Sequence, residues 1–433
     1  ETMTNEQTAV GKVGGGKLDL FLKSVEGKFI EDLNKETREN IETWKSEKSY
    51  NTLFFNPAHT VSPYECNVSG ELQFNPFAIE EVRYAANFLV NRSKIVEDFY
   101  NGHGDIRYLP FSRSSPSYDH FEDIVEDNGF TAESDKQKGI EMIQEALNSA
   151  MNDSALKGEL RKGDDGYWEY KPKGKGSFED LEAVGRLGWR DEREKIAEYF
   201  SDILEECGIE SYVPKFDYGY GSIVWGSDPA DLHWSFYTGR WISQSAKYYQ
   251  SKKPAQMYAG WYDYMPGGFI DDPDYRYGYD ETGNQTLETI SKRLYENQIN
   301  DIDQYWDYME KTTRIGVNES IRLFLSTKNE YYTYNKNKVK TAVIDVITGW
   351  SDYFTPRTIY SYKENLTFAS YSSQGTLYRD NWNEIDGSAH PYGLQQKRML
   401  MDTGAALHPR TGKPIPFRCD WKAKDGKNQV MKD

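Results

Sequence analysis

Asp228-Pro229-Ala230-Asp231-Leu232-His233-Trp234-Ser235-Phe236-Tyr237-Thr238-Gly239-Arg240-Trp241 and Met257-Tyr258-Ala259-Gly260-Trp261-Tyr262-Asp263-Tyr264-Met265-Pro266-Gly267 gather the residue types that hold a solute. Aromatic rings supply flat contact area, and their polar edges, with one guanidinium and several hydroxyls, orient a bound molecule. Any single ring here fits ordinary core packing, because Trp and Tyr are highly buried on average. Tyr237, Arg240, Trp241 and Ser243 together mix rings and polar heads, which predicts that some of them line a cleft, with Trp261 from the second stretch.

Residues for covalent or metal chemistry give no comparable pattern. Gly11-Lys12-Val13-Gly14-Gly15-Gly16-Lys17-Leu18 has the glycine and lysine spacing of a phosphate-binding loop, but Leu18 stands where a hydroxyl should hold magnesium. A glycine-rich turn is the expectation. Asp271-Asp272-Pro273-Asp274-Tyr275-Arg276-Tyr277-Gly278-Tyr279-Asp280-Glu281 is rich in carboxylates, yet it places Arg276 among the would-be calcium ligands and its glycine one step late for an EF-hand. It reads as a solvated acidic loop. The six histidines, His59, His103, His120, His233, His390 and His408, show no metal-ligand spacing, and no Ser/His/Asp or Cys/His set stands together. Paired carboxylates for glycoside hydrolysis are not legible, because the separation that matters is spatial. No catalytic residue, metal or cofactor is expected.

The 433 residues allow two or three domains. A formal charge of −17, from 52 Lys+Arg against 69 Asp+Glu, argues against nucleic acid or anionic lipid as partner. Tyr (33) and Trp (11) are abundant while apolar residues make up only 37%, which favours a wet, hydrogen-bonding surface. Cys66, Cys207 and Cys419 lie far apart and permit at most one disulfide. Sequons at Asn67, Asn91, Asn152, Asn284, Asn318 and Asn365 are compatible with an extracellular glycoprotein. No apolar run approaches the roughly 20 residues needed to span a bilayer. The first residue is Glu, no signal peptide opens the chain, and both ends read as cut points in something larger.

The elements expected to position these residues alternate helix and strand, an α/β pattern. Near the start, Gly14-Gly15-Gly16 precedes a strand over Lys17 to Leu22, a charged helical stretch runs from about Asn34 to Lys45, and a short strand covers Leu53-Phe54-Phe55-Asn56. Helices are expected from Pro76 onward, around Ile140 to Ala150, and most clearly from Asp191 to Cys207, with Asp191 as cap and Gly208 as stop. Tyr212-Val213, Ile223-Val224-Trp225, Ile321 to Leu325 and Val339 to Ile347 read as strands, and Leu287–Leu294 and Ile302–Thr312 as helices.

Several segments, in order, resemble the extracellular solute-binding proteins of the oligopeptide/dipeptide class of ABC importers, especially large archaeal members. Asn75-Pro76-Phe77 through Ile95-Val96 is similar to the family's Pro-Phe turn, helix and aspartate-arginine step, with Asn91-Arg92 in the last place. Gly16-Lys17-Leu18-Asp19 resembles a Gly-x-Ile-Asp turn, and Phe55-Asn56 the strand crossing between lobes. Asp228 to Trp241, Met257 to Gly267 and Asn318 to Phe324 are similar to stretches of the far lobe and its return. Gly375 to Asp386, Arg410 to Pro416 and Trp421 to Gly426 resemble the family's N-terminal opening.

The resemblance implies a two-lobed, type II periplasmic-binding-protein-like fold of mixed sheets with flanking helices. Residues 1–55 would form a first-lobe segment and crossing strand, 56–338 the far lobe, and 339–433 the return plus a β-rich extension that could open a second solute-binding unit. The first lobe would be incomplete or completed by that C-terminal segment, a missing N-terminal portion of the same protein being the other source. It implies a non-enzymatic, cell-surface receptor that captures a peptide, oligosaccharide or other small polar solute for an ABC permease, with Phe55, Asn56, Tyr237, Arg240, Trp241, Ser243 and Trp261 at the ligand. A surface-layer or adhesive protein on the same fold, and a secreted hydrolase, are the alternatives. Peptide-binding members commonly carry an acid shortly after the Trp241 position to meet an α-amino group, whereas Ile242-Ser243-Gln244-Ser245 follows here. Ring stacking and hydrogen bonds are therefore expected to hold the ligand more than ion pairing.

Overall fold

The computed structural model describes residues 2–187, 190–215, 218–270, 277–279, 282–284, 286–351, 353–371 and 402–419. Its organising element is a pair of long antiparallel strands, Ile41–Phe55 and Arg322–Asn335, paired from Arg322↔Phe54 to Asn335↔Ile41. At about 3.3 Å per residue each spans on the order of 45–50 Å, enough to belong to two separate cores. Register shifts at Phe324/Ser326 and Lys328/Glu330 fall near mid-strand, where bulges raise the local twist and turn the strands from one core toward the other.

At one end, Leu20–Phe21, Phe368–Tyr371 and Thr2–Met3 extend the sheet, and the helix Glu6–Gly14 covers it. Val10, Val13, Leu18, Phe21 and Ala369 pack there, and Trp44 stacks on Tyr334 at 4.5 Å nearby. At the other end, Phe236–Ile242, Glu182–Leu187 and Glu210–Tyr212 extend it, Phe236–Ile242 pairing antiparallel with Ser49–Phe55 and parallel with Gly185–Leu187. Helices Glu80–Leu89, Lys136–Asn152 and Glu192–Glu206 bury Leu89, Leu147, Ile196 and Phe200 against Leu53, Phe55 and Leu323.

Local signals explain the elements. Asp191 caps Glu192–Glu206 by accepting Arg193 N–H at 3.0 Å, and Gly208 turns the chain away with φ 78°. Asn91 likewise accepts Lys94 N–H at 2.8 Å, and the buried Arg92 that follows donates to the carbonyls of Asn87, Arg107 and Phe324.

Four expectations are corrected. The stretch from Asn34 to Lys45 holds only a single-turn helix, Lys35–Arg38, before the long strand starts at Ile41; alternate burial of Trp44 and Ser46 marks period two rather than 3.6. Ile223-Val224-Trp225 ends a helix, Tyr218–Trp225, a short apolar run that periodicity cannot assign. Val339–Thr341 is the whole strand there, because Asp345 folds the backbone into a turn by accepting Ile347 and Thr348 N–H, each at 2.9 Å. Gly11 and Gly14 lie in the helix Glu6–Gly14, so the expected glycine-rich turn is confined to Gly15 and Gly16, at a helix C-terminus where carbonyls rather than amides are exposed. The helix at Ile302 runs on to Glu319 and the strand at Arg322 to Asn335.

Candidate functional site

Strand Phe236–Ile242 sets the site by alternation. With Trp241 opposite Tyr50 and Arg240 opposite Asn51, the two side chains lie on opposite faces of the sheet.

On the Arg240 face, the guanidinium ion-pairs with Glu192, lies 3.5 Å from Asp191 and donates to Asn51 Oδ1 at 3.1 Å. Lys328 joins Glu192 at 3.2 Å and Glu26 at 2.9 Å. Burial works against the Arg240 charge, but Glu192 and Asp191 outweigh it and hold its pKa above the ordinary value. Arg240 and Lys328 thus each have a carboxylate partner on this face.

The Trp241 face is different. Trp241 is half-buried, edge-on to Tyr264 at 5.3 Å, and lines a 380 Å³ cavity with Ser243, Ser245, Gln250, Lys253 and Gln256. That volume falls in the range of small-molecule sites. The lining holds no Asp or Glu; its charged members are Lys247, Lys252 and Lys253. Lys253 opens the short helix Lys253–Tyr258, whose Pro254 occupies a first-turn position where no backbone donor is needed. The loop between strand and helix is tied at both ends and in the middle. Ser243 N donates to Lys48 O at 2.7 Å, Ala246 N to Asp345, and Gln250 N to Tyr305 Oη at 2.7 Å. A hairpin of Ala405–Leu407 and Pro414–Pro416 closes over it, with Tyr248 N donating to Gly412 O at 3.2 Å and Val346 N to Pro409 O at 2.9 Å.

The other sequence-derived residues are placed apart from this cavity. Tyr237 is buried in a ring cluster with Trp225, 4.8 Å away, and Trp234. Phe55 stacks on Phe77 at 4.9 Å in the core. Asn56 is fully buried and donates to the carbonyls of Pro229 and Trp234, both at 2.8 Å, while accepting Ala58 N–H; it fastens the start of the aromatic segment. Trp261 donates to Ser291 Oγ at 2.9 Å and meets Tyr295 edge-on. The structure thus brings Trp241 and Ser243 together and leaves Tyr237, Arg240, Phe55, Asn56 and Trp261 in supporting places. Sequence reasoning missed Lys253, Arg107 and Arg322. An arginine inside the apolar run Ile321-Arg322-Leu323-Phe324-Leu325 was the available signal, since a charge in a buried strand calls for an explanation.

A second, larger cavity of 970 Å³ is bordered by Pro57, Ala78, Arg83, Tyr277, Asp307 and Arg314. Its charges are mixed and none of the sequence-derived residues reaches it, so size alone does not make it the better candidate. The acidic loop at Asp271–Glu281 lies outside the described residues except for Tyr277, Gly278 and Tyr279. Among the described residues no group of three or more His, Cys, Asp or Glu side chains could hold a metal ion, and no helix is long and apolar enough to cross a membrane. Burial pushes the Cys66 and Cys207 thiols up to about 12, which leaves neither as a nucleophile at neutral pH.

No protein-family model and no curated protein matches the chain. Solved structures do. The oligopeptide-binding protein AppA from Bacillus subtilis, in complex with a nonapeptide, is 16% identical with a TM-score of 0.52, over 83% of this chain and 59% of that one. The ABC transporter substrate-binding protein CtaP from Listeria monocytogenes is 14% identical with a TM-score of 0.54, over 83% and 59%. NikA from Brucella suis, in complex with Fe(III)-EDTA, is 13% identical with a TM-score of 0.51, over 80% and 59%. The chain therefore spans about 59% of the length of these proteins, and what it shares with them is the mixed α/β, type II periplasmic-binding-protein-like fold.

Proposed function

We propose that this chain belongs to an extracellular solute-binding protein that captures a peptide or other small polar solute and presents it to an ABC permease. The observation that carries the reading is the polar, ring-walled cavity at Trp241 and Ser243, where strand Phe236–Ile242 leaves the long crossing strands. The fold shared with AppA, whose structure holds a nonapeptide, supports the same reading. Residues 1–55 and 339–433 would serve the first lobe and 56–338 the far lobe. The hairpin over residues 405–416 would help to complete the first lobe, a role supported by its bonds to Val346 and Tyr248. Closure of the lobes would be driven only by the part of the solute's affinity that favours the closed form.

Native mass spectrometry of the purified protein, followed by thermal melting with each solute found, tests the proposal. A retained solute that raises the melting point by mass action supports it. If nothing is retained and no peptide or saccharide shifts the melt, a structural or adhesive role on the same fold replaces it, and turnover of peptide or glycan would replace it with hydrolysis.

A further inference from the structure

Three buried cations surround one phenol. Arg107 lies with its guanidinium 3.8 Å from the centre of the Tyr50 ring, Lys253 Nζ is 3.3 Å from Tyr50 Oη, and Arg322 shares the Trp241 ring with Lys253, at 5.9 and 5.6 Å. Their exposures are 5%, 7% and 3%. Among the described residues none of the three has a carboxylate within ion-pair distance. The charged groups that act most strongly on Lys253 are Arg107, Arg322 and Lys247, all positive. A buried charge without a counter-ion is costly, and proteins normally pair it. In a chain of net charge −17, the opposite face of the same strand gives Arg240 and Lys328 carboxylate partners. The fully buried Arg92 lacks one but spends its donors on Asn87, Arg107 and Phe324 oxygens, whereas Lys253 borders open space.

We infer that the solute carries a carboxylate and no cationic group, and that Lys253 receives the carboxylate in the cavity beside Trp241. The inference rests on the solute-binding reading above and narrows its substrate class. Lys253 is the member that reaches the cavity: it lines the 380 Å³ space and a small recess that Arg107 also borders. Arg107 already uses its donors on the carbonyls of Leu109 and Pro110 and the Thr327 hydroxyl. Arg322 makes one long bond, 3.4 Å, to Gln256 O and leaves its Nε without a partner. Of the three lysines that line the cavity, Lys247 and Lys252 are exposed and Lys253 is buried; that one desolvated ammonium, backed by two guanidinium charges, matches one singly charged acid. The absence of any lining acid removes the group that would meet an ammonium, while Ser243, Ser245, Gln250 and Gln256 offer neutral hydrogen bonds to hydroxyls or amides.

The test is calorimetric titration of the whole chain with matched pairs: a hexuronate against its neutral hexose, and an N-acetylated dipeptide acid against its C-terminal amide, with inorganic phosphate as a separate probe. The acid of a pair should bind about 30-fold or more tightly than its neutral partner, the loss typical when one member of a buried charge pair is removed. Lys253→Met should abolish that preference, Lys253→Arg should keep part of it, and the empty Lys253→Met protein should melt no lower than the parent. Equal binding of acid and neutral partners, tight binding of phosphate in place of carboxylates, or a retained solute lacking an acid would overturn the inference while leaving solute binding intact. No retained solute and no binding of any probe would overturn both. A Lys253→Met protein that melts well below the parent would mark Lys253 as a satisfied structural residue, against the inference even if titration failed.

Discussion

Asp345 accepts the backbone N–H of Ala246 with both carboxylate oxygens, at 3.1 and 2.9 Å. The same carboxylate, 3% exposed, also receives Ile347 and Thr348 N–H. One side chain therefore shapes the turn after Val339–Thr341 and pins the middle of the loop that walls the cavity. Burial raises its pKa, and the amides pull against that rise without cancelling it.

Asp345→Ala removes these charge-assisted bonds and strands buried donors. Because bonds to charged groups contribute about 1.5–3 kcal/mol each and each buried donor left unsatisfied costs about 1–3 kcal/mol, a loss of about 3 kcal/mol or more is expected in urea unfolding, with faster solute release in stopped-flow exchange. A variant as stable as the parent would show that the loop is held by its other ties.

Gly316 lets the ring of Tyr258 sit directly on the helix Ile302–Glu319: a Cβ there would lie 2.2 Å from the ring. Tyr258 ends the short helix that begins with Lys253, so the contact positions the cavity's cation. Gly316→Ala should destabilise by about 1–3 kcal/mol, as overpacking does, and weaken solute binding as well. Combining it with Tyr258→Leu should recover part of both, read by denaturant melts and titration.

Trp241→Ala should weaken the retained solute by about 1–2 kcal/mol, roughly 5- to 30-fold, through lost ring contact. Trp241→Phe should retain about half of that energy. Equal affinity across the three proteins in calorimetry would place the solute away from this wall.

Lys253 also predicts a pH signature. Burial, then Arg107, Arg322 and Lys247, hold its pKa well below the ordinary 10.5, while Tyr50 faces it and burial holds the Tyr50 phenol, and that of Tyr258 beside Tyr50, above the usual range. Between the lowered folded value and 10.5 the unfolded chain binds the proton that the folded chain has released, so stability rises with pH across that window. Lys253→Met lacks this term. Its melting advantage over the parent should be largest at low pH and should shrink toward pH 10; a constant gap would show that Lys253 titrates normally.

What residue order determined was local. Asp191 and Gly208 bound the helix Glu192–Glu206, and the Pro76 turn leads into Glu80–Leu89, because caps and turn residues act within a few positions of themselves. The ring-rich segment ending at Trp241 and the missing acid at Ser243 were also readable, since they are composition at fixed positions. Tertiary structure decided which side each residue faces. Adjacent in sequence, Arg240 and Trp241 part to opposite faces of one strand, the first neutralised by Glu192 and the second walling a cavity. The cations around Tyr50 come from positions 107, 253 and 322, and their lack of a carboxylate partner among the described residues is a property of the packed neighbourhood that no spacing records. Burial supplies the physical reason: water solvates the same lysine wherever it is exposed, and only the fold that removes the water makes its unpaired charge costly.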